Sequence, residues 1–488
     1  MPVIELGQRR ELFVDDFLIE RLEGNLRPVL HQARPCEAIL ETDRPWEGCF
    51  SNFNTVIAAR PRHRLYYRGW QAHVGPGKKL EETRPPTINL AESEDGLRWE
   101  RVPLRLFEYM GSRENNIVWM GEGDDRWGMH GFSPFYDQNP ACRPDQRWKA
   151  VGAGWREPHK GLYLMTSPDG IRWRLASERP FLAGYAHDSH NTVQWSPWEG
   201  LYRAYFRHWV EQEGRKLRII MTAVSQDLAD WSDPIPLSYN PDARPEHLYT
   251  NNIFPYPRAP HLWIGFPARY VERPWTPSIE ALPELDHRRL RSRISLRYGT
   301  AVTDTVFMTS RDGLHFWRWN EAIVRPGLRV EGSWAYGDAY LAWGLLETPS
   351  PLPGGGTELS FYGTEHYWRG EKTVLRRYAL RVDGFVSLQA PLSGGCLMTR
   401  PIVFAGNRLS LNFSASAAGG IRVGLETAEG GPISGFGLED NWECLGDSLE
   451  YLVQWKGGAD LSTLAGKPVR LRIEVRDADL YSLQFIQR

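Results

Sequence analysis

The sequence predicts an all-β protein: a five-bladed β-propeller over residues 1–390 and a β-sandwich over residues 391–488. Two sets of repeats and an excess of aromatic residues carry that prediction. The first repeat is a Ser-x-Asp-Gly-x-x-Trp box, seen as Ser93-Glu94-Asp95-Gly96-Leu97-Arg98-Trp99 and again as Ser167-Pro168-Asp169-Gly170-Ile171-Arg172-Trp173. Looser copies begin at Ser225 and Ser310, and Asp383-Gly384-Phe385 is a degenerate fifth. The second repeat is an Asn before an apolar run: Asn54, Asn116, Asn191 and Asn252, with Asp338 in the fifth place. Successive starts are 62, 75, 61 and 86 residues apart, and a box follows each start. Two motifs kept in phase over five periods mark a repeat architecture.

Each period supplies four strands. The first opens at the Asn or Asp position. A second follows in runs such as Arg64-Leu65-Tyr66-Tyr67-Arg68-Gly69-Trp70 and Leu201-Tyr202-Arg203-Ala204-Tyr205-Phe206-Arg207-His208-Trp209. A third, such as Gly161-Leu162-Tyr163-Leu164-Met165-Thr166, leads into the box, and a fourth leaves it. Asp-Gly suits the tight turn because Gly adopts the positive φ that the turn needs, while Ser and Asp bond local backbone. Four antiparallel strands per period make a propeller blade. After residue 390 the boxes stop, and alternating runs such as Val469-Arg470-Leu471-Arg472-Ile473-Glu474-Val475 between Gly pairs read as a sandwich with a bracing role.

The chain has 488 residues, 58 Lys and Arg against 60 Asp and Glu, and 41% hydrophobic residues. That is enough apolar surface for a large core. The charge balance gives no electrostatic case for nucleic acid or an anionic membrane. No run approaches the roughly 18 apolar residues of a spanning helix, and the N-terminus lacks the apolar core of a secretion signal. The expected location is therefore either the cytoplasm or a compartment reached with a leader since removed. Five widely spaced cysteines with no Cys-x-x-Cys pair argue against a disulfide framework or a zinc knuckle. No cofactor and no metal are expected. The 21 Trp, 20 Tyr and 19 Phe fit packing between sheets, with a few left for stacking on sugar rings.

In a propeller the starts of first strands lie beside the ends of second strands, so their polar residues are expected to gather at one mouth of a central funnel. The first-strand starts include Asn52, Asn54, Asn116, Asp188, His190, Asn191 and Asn251, together with Asn252 and Asp338. The second-strand ends are Arg68, Trp70, Trp155, Arg207, His208, Arg269, Glu365 and His366, while Glu47, Glu114 and His247 precede first strands. Such a mixture suits a saccharide: amides and Arg bond hydroxyls, aromatics stack and carboxylates do acid–base work. Glycosidic cleavage needs a protonated carboxyl and an ionised one. Asp188 is assigned here as base or nucleophile, Glu365 as acid, Asp338 as tuner and Glu47 as reserve acid. Asn54, Arg68, Asn116, His190, Asn191, Arg207, His247, Asn251, Arg269 and His366 are assigned to substrate binding. An oligosaccharide or polysaccharide is the expected partner.

Five blades and a C-terminal sandwich resemble the invertase–arabinanase superfamily of glycoside hydrolases. Glu11-Leu12-Phe13-Val14-Asp15-Asp16-Phe17-Leu18-Ile19, Asn115-Asn116-Ile117-Val118 and His247-Leu248-Tyr249-Thr250-Asn251 are similar to segments of uncharacterised bacterial members. The resemblance implies polysaccharide degradation by an Asp on each of the first two blades and a Glu acid on a later one. This sequence departs from that pattern, with Asn at its first two strand starts. Asp15 and Asp16 precede the first blade, where an edge strand closing the ring is expected. Two other readings stay open. Convergence of Arg68, Arg207 and Arg269 would make the substrate an acidic sugar, uronate or sulfated, cleaved by hydrolysis or by elimination with His190 or His366 as base. A propeller that binds sugar without cleaving it is the third.

Overall fold

The computed structural model describes residues 3–123, 126–154, 160–212, 214–370 and 372–488. Trp155, expected at a strand end, lies outside them. The chain divides into two units, one of Met1–His31, Pro257–Ala259 and Leu380–Arg488, the other of Gln32–Tyr256 and Pro260–Ala379. Both are built from strands, and the helices Pro277–Glu280, Leu285–Ser292 and Leu296–Thr300 form one insertion in the larger unit.

The larger unit holds its sheets in a propeller-like arrangement. One pairs Thr55–Ile57, His63–Gly69, Thr87–Ser93 and Ile117–Trp119 in that order, and the next runs His130–Tyr136, Trp148–Gly154, Gly161–Ser167 and Arg174–Leu175. A third runs Thr192–Ser196, Leu201–Gln212, Arg215–Ser225 and Ile235–Pro236. Ile253–Tyr256, Ala259–Gly265, Val302–Ser310 and His315–Val324 form the body of a fourth. In the last, Tyr340–Leu341 and Leu346–Pro349 both pair with Thr357–Glu365, followed by Val374–Arg381 and the early strand Arg34–Glu41. First strands neighbour one another: Thr55–Ile57 lies beside His130–Tyr136, which lies beside Thr192–Ser196, which lies beside Ile253–Tyr256. Trp343 continues the series, donating from Nε1 to the Ile253 carbonyl (2.9 Å) and exchanging backbone bonds with Asn54 and Val56 (both 2.8 Å).

The boxes fold as their residues dictate. In the box at Ser167 the Asp169 carboxylate accepts the Ile171 and Arg172 amides (2.9 and 2.8 Å), and the Ser167 hydroxyl accepts the Gly170 amide (2.8 Å). Three of these turns also accept a tyrosine from a neighbouring sheet. Tyr66 donates to the Gly170 carbonyl (2.8 Å), Tyr205 to that of Gly313 (2.9 Å) and Tyr362 to that of Gly96 (2.7 Å). The repeat therefore fixes both a turn within one sheet and a seam to the next.

Three expectations about strand placement are corrected. The strand after Asn116 pairs with Thr87–Ser93 of the first sheet, at Asn89↔Ile117 and Ile88↔Trp119. It does not open the second sheet. A turn-rich stretch with positive φ at Gly121, Gly123 and Gly128 reverses the chain, and the second sheet's first strand begins at His130. The strand that completes the last sheet is Arg34–Glu41, at Leu375↔Leu40, rather than the run around Asp15 and Asp16. Asp383-Gly384 joins Val374–Arg381 to Val386–Ala390, and the Asp383 carboxylate pairs with Arg10 (3.0 Å) inside the smaller unit.

The smaller unit is a ten-stranded sheet whose spine is the pair Arg408–Thr427 and Val469–Ile486. Register shifts between Ala415 and Gly420, opposite Asp477 at φ +40°, bend both long strands. Bulges of this kind let one strand serve two directions of sheet. Its core packs Phe404 on Phe485 (centroids 3.9 Å) and buries Trp455. The N-terminal strands Ile4–Gly7, Arg10–Leu12, Ile19–Gly24 and Arg27–Leu30 all belong to this sheet. The five cysteines are all free thiols, and among the described residues no helix is long and apolar enough to cross a membrane.

Candidate functional site

Within the larger unit a cavity of about 790 Å³ opens among the first-strand starts and the helical insertion. Its wall is aromatic, with Phe50, Phe53, Trp70, Tyr249, Tyr367 and Trp368 among the lining residues. Phe50 sits 4.5 Å from Trp70 and 5.1 Å from Trp368 between ring centroids. Burial raises the Tyr336, Tyr340 and Tyr367 phenols well above 10, so they remain neutral hydrogen-bonding groups. The polar lining comes from Asn52, Arg68, Glu82, Arg126, His130 and Asp188.

Asp188 is the focus of the polar side. Its Oδ1 stands 3.3 Å from His130 Nε2 and its Oδ2 3.4 Å from Arg207 Nη2. Its side chain is 54% exposed, whereas Arg207 is buried and His130 largely so. Burial works against ionisation of this carboxyl, but the His130 hydrogen bond and the nearby positive charge of Arg207 outweigh it and bring the pKa down to about 2. Burial also lowers the His130 pKa, against the pull of Asp188 and with the push of Arg68. At neutral pH the pair is thus an ionised Asp188 beside a neutral His130.

Arg68 is the second fixed cation, its guanidinium 4.3 Å from the Trp70 ring. Its Nε has no protein partner. Asn52 donates to the Tyr367 hydroxyl (3.2 Å) while its Oδ1 is buried and unpartnered. Among the described residues Glu82 is the other carboxylate lining the cavity, and it accepts from Trp70 Nε1 (3.0 Å) and Arg126 Nη1 (2.7 Å).

Of the residues expected to line a common funnel, the cavity takes Asn52, Arg68, Trp70 and Asp188, and Arg207 and His208 line an adjoining lobe with Asp188. The others are engaged elsewhere. Glu365 accepts from Arg376 Nε (2.8 Å) and the Tyr378 hydroxyl (2.8 Å) and is not among the lining residues. Asp338 is buried and accepts the Ala335 and Tyr367 amides (2.8 and 3.1 Å). Its pKa is pushed to about 7 by burial, against those two amides and the charge of Arg291. It braces the turn behind Tyr336 and Tyr367. Glu47 is fully buried under Arg101 (2.7 Å) and the Tyr67 hydroxyl (2.5 Å).

Among the residues assigned to substrate binding, most bond backbone. Asn54 accepts the Arg68 amide (3.3 Å), Asn191 donates to the His187 carbonyl (2.9 Å), and Asn251 donates to the His190 carbonyl (2.7 Å). Asn116 bonds Tyr67 (2.8 Å), the Leu90 carbonyl and Trp46. His190 is a buried histidine held between Asn252 (3.1 Å) and Thr55 (3.3 Å), its pKa lowered to about 3 chiefly by burial. His247 accepts from the Arg218 amide (3.2 Å). Arg269 is clamped by Asp304 (2.6 and 2.8 Å), so its convergence with Arg68 and Arg207 is overturned. His366 sits at φ +58° and is not among the cavity's lining residues, and Glu114 is an exposed partner of Arg105 (2.6 Å).

The residues missed from the sequence are His130, Glu82, Arg126 and the tyrosines 249, 298, 336 and 367. His130 was hidden because Pro134 interrupts its strand and no Asn precedes it. The insertion carrying Tyr298 lacks a box and contains the charged run Asp286-His287-Arg288-Arg289. Among the described residues no three His, Cys, Asp or Glu side chains are grouped as a metal site requires.

No family model matches the chain, and no curated protein matches it. Among solved structures it is similar to an N-acetylgalactosamine deacetylase from F. plautii in complex with blood group B trisaccharide, at 11% identity and a TM-score of 0.44, over 73% of this chain and 94% of that one. It is also similar to an endo-arabinase from Bacteroides thetaiotaomicron, at 9% identity and a TM-score of 0.41, over 72% and 98%. A GH32 β-fructofuranosidase from Bombyx mori is similar at 10% identity and a TM-score of 0.39, over 94% of both chains.

Proposed function

We propose that the protein is a glycoside hydrolase that cleaves a saccharide bound in the Asp188 cavity. The observation that carries this reading is an ionised Asp188, flanked by His130 and Arg207, in an aromatic-walled pocket large enough for a sugar. The aromatic wall suits the C–H faces of a pyranose or furanose ring, and Arg68 and Asn52 offer hydrogen bonds to its hydroxyls. Asp188 acts as base or nucleophile at the anomeric carbon. Its low pKa rules it out as the proton donor at neutral pH. Glu82, the other carboxylate among the described lining residues, is the candidate acid, and its ion pair with Arg126 (2.7 Å) must open for it to carry the proton. The five main sheets of the larger unit are read as five propeller blades, supported by the succession of first strands that Trp343 closes onto Asn54 and Val56. The smaller unit is read as an accessory β-sandwich.

The test is a screen of aryl-glycosides and plant or algal polysaccharides with wild type, Asp188→Asn and Glu82→Gln. Asp188→Asn should lower turnover roughly 10²–10⁴-fold with the fold intact. Glu82→Gln should impair substrates with poor leaving groups far more than dinitrophenyl glycosides, whose departure needs no proton. Undiminished turnover in Asp188→Asn removes the reading. Binding of sugars with no product from any of them favours a non-catalytic propeller.

Elimination is a second reading, favoured by the neutral His130 beside neutral tyrosines. On a uronate, His130 would take the C5 proton, the C4–O bond would break, and a tyrosine would protonate the departing oxygen. An unsaturated product absorbing in the ultraviolet distinguishes this from hydrolysis.

A further inference from the structure

Next to the aromatic cavity, and sharing Asp188, Tyr249, Tyr298 and Tyr336 with it, lies a lobe of about 540 Å³. Four permanent cations line it: Lys160, Arg207, Arg218 and Arg297. Among the described residues Asp188 is the carboxylate in that lining, and Glu272 stands 3.9 Å from Arg218 just beyond it. Positive charge is therefore in excess.

Two of the guanidinium groups are buried and incompletely bonded. Arg218 is 2% exposed and packs on Trp209 (4.3 Å), Tyr270 (4.6 Å) and Tyr249 (5.3 Å). Its Nη1 reaches His247 (3.3 Å), but its Nε has no partner. Arg207 is 4% exposed and lies 5.2 Å from the same Tyr249 ring. Its Nη2 faces Asp188, while Nε and Nη1 have no partner. Buried donors without acceptors are rare in folded proteins, because they forgo the bonds that water made to them. Guanidinium groups also match carboxylate and sulfate oxygens in a paired geometry that an isolated hydroxyl does not exploit.

Building on the saccharide site proposed above, we infer that this lobe binds the anionic substituent of the substrate, a carboxylate or a sulfate, so that the substrate is an acidic glycan. The sugar ring lies against the aromatic wall and its charge points past Asp188 to Arg207 and Arg218. The aromatic faces around Arg218 keep the charge in a site of low polarity, where pairing with an anion is screened little.

The experiment is an NMR titration of the intact protein with glucuronate, galacturonate, glucose 6-sulfate and glucose, at low and high sodium chloride. At least one anionic sugar is expected to bind about tenfold tighter than glucose at low salt, with the gap narrowing at high salt. Preference for the uronates or for the sulfate identifies which anion the lobe takes. Arg297→Gln, at a half-buried position, should narrow that preference and leave glucose binding unchanged. Arg218→Gln, where it folds, should lose most of the preference. Equal affinity for glucose and all the anions, or a variant that weakens charged and neutral sugars alike, overturns the inference. Binding is read without turnover, so failure of the hydrolase reading has its own signature: no cleavage of any glycan while the anion preference persists.

Discussion

His130 places Nε2 3.3 Å from the Asp188 carboxylate, joining the first strand of one sheet to the loop that opens the first strand of the next. The contact helps bring the Asp188 carboxyl down to a pKa of about 2. It rests on residues 58 positions apart that only neighbouring first strands bring together.

That relationship sets a pH dependence. Asp188 has a pKa of about 2 in the folded protein and an ordinary value of 3.8. Being depressed, it favours the folded state above the ordinary value, and that contribution fades as pH falls through about 2. Activity should accordingly show no limb from Asp188 between about pH 4 and 7. His130→Ala removes the hydrogen bond and should move the acid limb of kcat/KM upward. A pH–rate profile of both proteins checks this, and an unmoved limb would show that His130 does not govern Asp188.

Asp338 has the opposite sign. Its folded pKa of about 7 exceeds the ordinary 3.8, so its contribution is full below about pH 4 and is lost as pH rises through 7. The shift corresponds to about 4 kcal/mol at most between those limits. Asp338→Asn, which cannot ionise, should start less stable because it offers one acceptor oxygen to two amides. Its deficit relative to wild type should shrink from pH 5 to pH 8. Denaturant midpoints at the two pH values measure the change, and a constant deficit contradicts the assignment.

Glu47 and Glu365 should both act on stability, to different extents. Glu47 is 0% exposed beneath Arg101, itself 19% exposed. Glu47→Gln should cost about 3 kcal/mol, near the low end for breaking a buried pair. Glu365 and Arg376 are 22% and 30% exposed, and Glu365→Gln should cost about 1 kcal/mol or less. Turnover per folded molecule should hold in both variants. Urea unfolding alongside activity separates the two effects, and a large loss of turnover in Glu365→Gln would restore it as the acid.

The box glycines provide a test of the seams between sheets. A Cβ at Gly170, where φ is +73°, would stand 2.7 Å from the Trp148 ring and 2.8 Å from the Tyr66 hydroxyl. At Gly200, with φ +68°, it would meet nothing within 4 Å. Gly200→Ala should therefore cost about 1 kcal/mol, from backbone strain alone. Gly170→Ala should cost about 2–4 kcal/mol because overpacking is added. Equal melting temperatures for the two variants would mean that the tyrosine seam adds nothing.

The Ser-x-Asp-Gly boxes and the strand runs were legible in the chain, because such turns are closed by atoms only two or three residues apart. Asp188 was legible too, since the run from His187 to Asn191 carries more polar groups than a strand entrance needs. The fate of its companions was not. Whether Glu365 faces a ligand or Arg376, whether Arg269 reaches a substrate or Asp304, and which strand follows Asn116 depend on pairings between segments that the chain does not place side by side. Local hydrogen bonds are written in adjacent residues, whereas a charge takes whichever partner folding brings within a few ångströms. Tertiary structure alone therefore chose His130 and Arg207 for Asp188 and satisfied the other carboxylates elsewhere.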